Sequence, residues 1–251
     1  MKHNYHAHTA RCNHATGSER EYIERAIETG METLGFSDHA PYPFPDTDYR
    51  SGFRMKDDEL FSYAETIRAL QKEYASDIRI LCGFELEYYP KYHAQEMEFL
   101  NRVHPDYLLL GQHFTGNEIG APPAATLCEE KAFSAYITQI LDGLKTGDFL
   151  YLAHPDLAGY PFEKETVLRE YRRLCEGAKA MHIPLEINFL GLRTKRHYPQ
   201  KTLFEIAASV GNEVVFGADA HDPKNVFDAA SEEIAAAWVK ELNLHLVEKI
   251  L

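Results

Sequence analysis

Short apolar runs and longer amphipathic stretches take turns along this chain. The runs cover residues 3 to 6, 33 to 37 (TLGFS), 79 to 84 (RILCGF), 106 to 111 (DYLLLG), 149 to 153 (FLYLA), 184 to 189 (PLEINF) and 213 to 218 (EVVFGA). Each has the length, and most the β-branched or aromatic content, of a buried strand. Between them, helical patterns are expected over 18 to 29, 57 to 75, 93 to 102, 129 to 146, 163 to 182 and 200 to 210, with a last helix at about 225 to 240. Ser18 and Glu21 have the spacing of a capping box and open the first helix.

Strand alternates with helix some seven times, without a shift in composition and without a Ser/Gly-rich linker. This is the pattern of parallel βα units, and it leads to an α/β fold with residues 1 to 251 forming one domain. A barrel of seven such units is the preferred reading; an open doubly wound sheet alternates in the same way, and periodicity does not separate the two. Two stretches break the rhythm. Residues 40 to 56 are rich in Pro and aromatics and 115 to 127 in Gly, Pro and Ala, so both are expected to be long loops.

Composition narrows the class. Hydrophobic residues at 45% and charged residues at 26% belong to an ordinary globular chain. No apolar run reaches the ~18 residues a membrane span needs, and the opening MKHNYHAHTARCNH is polar, so a cytoplasmic protein without a membrane partner is expected. Cys12, Cys82, Cys128 and Cys175 form no C-x-x-C pair and are expected to be free thiols. A net charge of −13 with no long basic run argues against nucleic acid as a partner.

Histidine changes the picture. There are 13, and most sit beside the short apolar runs. His6 and His8 end the first strand, Asp38 and His39 follow the second, and Glu85 and Glu87 end the third. His113 follows the fourth, His154 the fifth, and Asp219 with His221 the seventh. In a parallel barrel these strand ends share one face, where active sites are built. The i, i+2 spacing of His6 with His8 and of Asp219 with His221 puts both side chains of each pair on one side of a strand, as two ligands of one metal require. A lone His39 or His113 more often caps a strand end than binds an ion, and Glu85 alone could pair with an arginine. The coincidence of so many at equivalent positions favours a metal site. Imidazole and carboxylate without thiolate suit zinc, iron or manganese better than calcium. The other histidines, His3, His93, His104, His182 and His245, are expected at the surface.

These motifs together, His-x-His near the N-terminus, SDHA (37 to 40), GFELEY (83 to 88), GQHF (111 to 114), AHPD (153 to 156) and GADAH (217 to 221), resemble the PHP family, named for polymerase and histidinol phosphatase. The resemblance runs over nearly the whole chain and implies a distorted, TIM-like barrel of seven parallel βα units. It also implies three divalent ions. His6, His8, Glu85 and Asp219 would hold the first; Glu85 would bridge to a second, held also by His113 and His154; His14, His39 and His221 would hold a third. His14 is recruited by the family pattern alone. SDHAPYPFP and EINFLGLRTKRHYP look most like the monofunctional histidinol-phosphate phosphatases, which implies hydrolysis of L-histidinol phosphate as the small-molecule substrate. Metal ions would activate water and neutralise phosphoryl charge.

Arg193, Arg196 and His197 follow the sixth strand and could grip phosphate, Arg193 first; a solvated basic loop is the plainer alternative. Asn188 could contact substrate, and Tyr42 with Phe44 could cover an imidazole ring. Asp38 and Asp156 each stand beside an expected ligand, as a supporting carboxylate or as the acid that protonates the leaving group. Three alternatives stay open: a related phosphatase or phosphodiesterase with another substrate, an amidohydrolase-type enzyme, and a non-enzymatic metal-binding module.

Overall fold

Why the strands read as nearly continuous apolar runs is clear from the computed structural model, which describes residues 1–158 and 164–251. Strand β2 (Thr33–His39) is buried along its whole length, and β3 (Arg79–Leu86) along all but its first residue. Parallel sheets are covered on both faces, so both sides of such strands must be apolar or specially paired. β1 (His3–Asn4) pairs in parallel with β2, and β2 with β3; β4 (Tyr107–Leu110) completes a four-stranded sheet of order β1-β2-β3-β4. A second sheet has the order β5-β6-β7, with β5 at Leu185–Asn188, β6 at Glu213–Gly217 and β7 at His245–Leu246.

The chain divides into two compact units. The first is Met1–Leu86, Lys91–Leu109 and Gly217–Ala229; the second is Glu87–Pro90, Leu110–Phe216 and Ala230–Leu251. Helices α1 (Glu19–Glu28), α2 (Leu60–Glu73) and α3 (His93–Leu100) belong to the first. Ser18 caps α1 and Glu21 returns the bond, so the expected capping box is present. The second unit holds α4 (Glu130–Leu144), α5 (Lys164–Ala180), α6 (Phe189–Arg193) and α7 (Lys201–Val210), and nearly all of α8 (Ala229–Leu242).

In the first unit the register sets the floor of the site. Gly35, Ser37 and His39 of β2 lie opposite Leu81, Gly83 and Glu85 of β3, and alternation puts all six on one face. The two glycines leave room for the Tyr107 ring. A Cβ on Gly83 would lie 2.6 Å from that ring, and one on Gly35 would strike its hydroxyl. The Tyr107 hydroxyl donates to the Tyr5 carbonyl at 2.7 Å, fixing the backbone just before His6. His39 and Glu85 follow directly along this face.

Three elements differ from expectation. The run 149 to 153 is not a strand; only Leu152 bridges, in parallel, to Leu110 on one side and Leu185 on the other. Its extended run is cut short because His154 takes a φ of +29° and Pro155 follows. Residues 189 to 193, read as the end of a strand and a loop, form α6, while His245–Leu246 adds a strand that the pattern did not reveal. The helix expected at 163 to 182 is described from Lys164; position 163 lies outside the described residues. His93, expected at the surface, is buried on α3.

Candidate metal centre

The first unit gathers seven of the expected donors. Residues 6 to 8 pair in parallel with 218 to 220: Ala7 bridges Ala220, the His8 N–H donates to the Ala220 carbonyl at 2.9 Å, and the Ala220 N–H to the His6 carbonyl at 3.3 Å. This lays His6 and His8 beside Asp219 and His221. The Asn4 side chain ties the two segments again, its oxygen accepting from the His6 N–H at 3.2 Å and the Ala218 N–H at 3.0 Å.

Donor atoms then converge. His6 Nε2 lies 3.6 Å from Glu85 Oε2 and 3.7 Å from Asp219 Oδ1; His8 Nε2 lies 3.6 Å and 3.3 Å from the same two oxygens. His39 Nδ1 is 3.0 Å from Glu85 Oε2, and His221 Nδ1 3.3 Å from Asp219 Oδ1. His14 and His221 meet at 3.0 Å through their Nε2 atoms, with the His39 ring 5.3 Å from that of His14. Two atoms that each bind one ion at about 2.0–2.2 Å lie roughly 3–3.6 Å from each other. The observed separations fit that spacing, and most exceed a good hydrogen bond. The residues therefore fit divalent ions.

Electrostatics agrees. His6, His8 and Glu85 are essentially inaccessible, and Asp219 is 3% exposed. Burial opposes a proton on His8, yet Asp219 and Asp38 outweigh it and hold the imidazole well above its usual range. Burial likewise opposes a charge on Asp219, but His6 and His8 pull its carboxyl well below the usual range. His221 is pushed down to about 3 by burial and by the charge of His8. The carboxylates demand positive charge, and the crowded imidazoles cannot all be protonated to supply it.

Asp38 serves His8. It is fully buried; Thr9 donates to one oxygen, while the His39 N–H donates to the other at 2.9 Å and His8 Nδ1 lies 3.4 Å from it. With Nδ1 on the Asp38 side, Nε2 faces Glu85 and Asp219, the orientation that a carboxylate behind a metal-binding histidine favours.

The second unit holds His113 and His154, whose rings are 4.9 Å apart. Glu87, 1% exposed, sits 2.8 Å from His113 Nδ1. Glu186, fully buried, accepts from the His154 N–H at 2.9 Å and from the Asn188 amide at 2.8 Å. In the sequence Glu87 is a strand-end carboxylate, and its i+2 spacing from Glu85 is the one signal of its place beside His113. Glu186 is not among the residues the sequence points to; its only signal is the same spacing from Asn188. Asp156 is fully buried; the Gln200 N–H donates to one of its oxygens, and burial pushes its carboxyl up to about 7 against that bond.

Of the expected substrate contacts, Asn188, Arg193, Arg196 and His197 belong to the second unit and Tyr42 to the first. Asn188 uses its oxygen to cap α6 through the Gly191 N–H (3.0 Å) and its amide on Glu186, so both ends are occupied. Arg196 donates to the Tyr198 hydroxyl at 2.8 Å, and His197 Nε2 to the Leu157 carbonyl at 2.7 Å. Arg193 ends α6, partly exposed. Tyr42 stacks on Phe44 at 5.1 Å and lines a pocket of about 430 Å³ with Arg50, Arg54 and Asp57.

An α/β protein that collects buried imidazoles and carboxylates for divalent ions is the class these features define. The PHP domain family matches residues 4–188, and the chain belongs to that family. It is 28% identical to a protein of Deinococcus radiodurans named "Probable histidinol-phosphatase", over 88% of this chain and 86% of the relative. It is 25% identical to the histidinol-phosphatase of Bacillus subtilis, over 90% of this chain and 96% of that one. Its fold resembles the histidinol phosphate phosphatase of Lactococcus lactis, solved with zinc, L-histidinol and phosphate: the TM-score is 0.74 at 20% identity, covering 98% of this chain and 95% of that one.

Proposed function

We propose that this chain is a metal-dependent phosphomonoesterase that hydrolyses L-histidinol phosphate to L-histidinol and phosphate. The observation that carries this reading is the convergence of His6, His8, Glu85 and Asp219 at 3.3–3.7 Å, in a chain of the PHP family whose relatives include named histidinol-phosphatases. We assign one ion to those four residues, one to His14, His39 and His221, and one to His113 and His154: three in all, of zinc, iron or manganese. When bound, divalent ions supply a Lewis acid that neutralises phosphoryl oxygens and lowers the pKa of water.

The chain's own groups do the rest. Asp38 and Glu87 orient His8 and His113 and raise their basicity as donors. Asp156, with its carboxyl near 7, is the candidate donor of the proton that the leaving alkoxide needs. Arg193, at the end of α6, is assigned to the phosphate, which its forked guanidinium suits. Tyr42 is assigned to the organic part of the substrate through the pocket it lines.

A single domain closed as a seven-unit barrel belongs to this proposal. Two facts support it: the family match runs through segments of both units, and each bridge at Ala7–Ala220, Leu110–Leu152 and Leu152–Leu185 is parallel. A cytoplasmic location belongs to it too. It is supported by four unpaired cysteines, and no helix among the described residues is long and apolar enough to cross a membrane.

The test is elemental analysis of the purified chain, with phosphate release measured on L-histidinol phosphate, other phosphomonoesters and a phosphodiester. Two to three equivalents of metal and a marked preference for L-histidinol phosphate are expected. Metal without that preference would remove the substrate assignment. A protein that stays metal-free and inactive after reconstitution would remove the whole reading.

A further inference from the structure

We propose that two buried glutamines, Gln112 and Gln139, are positioning residues for His113: they clamp the segment that carries Glu87 and so set the direction of the His113 ring, a role that rests on the ion assigned to His113 and His154. Glu87 sits 2.8 Å from His113 Nδ1. One residue along each segment, the Tyr88 N–H donates to Gln112 Oε1 at 3.0 Å. The Tyr88 carbonyl accepts from Gln139 Nε2 on α4 at 2.6 Å. Both main-chain groups of Tyr88 are thus held by glutamine side chains.

Each amide spends its other end on the segment that follows His113. Gln112 Nε2 donates to the Phe114 carbonyl at 2.6 Å, and the Gly116 N–H donates to Gln139 Oε1 at 2.6 Å. Turning either amide over would set donor against donor and acceptor against acceptor, and a glutamate of the same length has no donor to offer. The clamp is buried and anchored. Gln112 is 1% exposed and Gln139 7%, and Tyr136, also on α4, donates its hydroxyl to the Gln112 carbonyl at 2.7 Å. Beyond it, the Ala124 N–H donates to the His113 carbonyl at 2.7 Å and Phe114 bridges Pro123, so the loop read at 115 to 127 folds back on His113.

Buried amides commonly do no more than satisfy the backbone around them. Asn212, just before β6, has that form: it is buried, and its amide donates to the Cys175 carbonyl at 2.9 Å. The glutamines differ in what they join. Their four bonds tie the residue after Glu87 to the first and third residues after His113, which fixes a ring against the carboxylate behind it. A ligating imidazole takes its direction from such outer contacts. Gln112 belongs to the GQHF motif, where the sequence singled out only its neighbour His113.

Gln112→Met and Gln139→Met keep the side-chain length and remove the bonds. With folding confirmed by denaturant unfolding, the metal-loaded full chain is put in competition with a chelator. Each variant should hold its weakest ion about 10-fold less tightly than the wild type. Asn212→Ala, which removes a buried amide elsewhere in the second unit, should hold it as the wild type does. In a Glu87→Gln background, Gln139→Met should weaken retention by less than about 2-fold further, because both changes act on one pair. Ion retention unchanged in the folded glutamine variants, matched by Asn212→Ala, or lost additively with Glu87→Gln would overturn the proposal. Should Gln112→Met fail to fold, Gln139→Met decides alone. Metal held alike by wild type and variants removes only the clamp, whereas a wild-type chain that binds no metal after reconstitution removes the centre and the clamp together.

Discussion

The two clusters of imidazoles are built on different plans. In the first unit carboxylates stand among the histidines as donors: Glu85 and Asp219 each lie within 3.7 Å of both His6 and His8. In the second, carboxylates stand behind: Glu87 holds the Nδ1 edge of His113, and Glu186 holds the backbone of His154. A carboxylate among the donors adds charge to the ion site directly, while one behind an imidazole acts through its orientation and basicity. Ions in the first unit should therefore be the tightly held ones, and those in the second the more easily lost.

The difference can be broken or sharpened experimentally. Asp219→Asn should have the largest effect, removing a full donor charge; kcat/KM should fall at least about 1000-fold, with metal content falling in parallel by elemental analysis. Glu87→Gln keeps the hydrogen bond to His113 but not the charge, and should weaken ion retention about 10- to 100-fold in competition with a chelator. If Glu87→Gln proved as damaging as Asp219→Asn, the distinction between the two plans would collapse. Gly83→Ala drives a methyl into the Tyr107 ring, and should cost about 1–3 kcal/mol in denaturant unfolding. Ser18→Ala removes the cap of α1 and should cost about 1 kcal/mol, with metal content unchanged. Arg196→Ala, whose partner is a tyrosine hydroxyl, should lower kcat/KM by no more than a few-fold, roughly 1 kcal/mol; a 100-fold loss would return it to the phosphate site.

The contrast also explains what could be read from the sequence. Expected ligands in the first unit announce themselves, because strand alternation turns His-x-His and Asp-x-His into pairs on one face. Glu186 gives a weaker signal: its i+2 spacing from Asn188 hints at that pair, but nothing in the sequence links it to His154, whose N–H donates to it on β5. Asn188 was legible as a polar residue at a strand end, but its use as the cap of α6 was not, since that five-residue helix is too short to show a period. The positive φ of His154 and of Asp219 lay beyond sequence reading as well. Both are expected ligands, and both sit in a conformation that non-glycine residues seldom adopt.

The Asn4 side chain, which holds the His6 and Ala218 N–H groups together, spans 214 positions of sequence. On the ribosome, His6 and His8 emerge long before Asp219 and His221 and must wait for them while the intervening chain is made. At about 5–20 residues per second that delay lasts on the order of 10–40 seconds. During it the nascent chain exposes imidazoles without the carboxylate that completes their charge. Metal capture is thus a late event in the life of the chain, and the contact that closes the centre is among the longest-range that folding has to find.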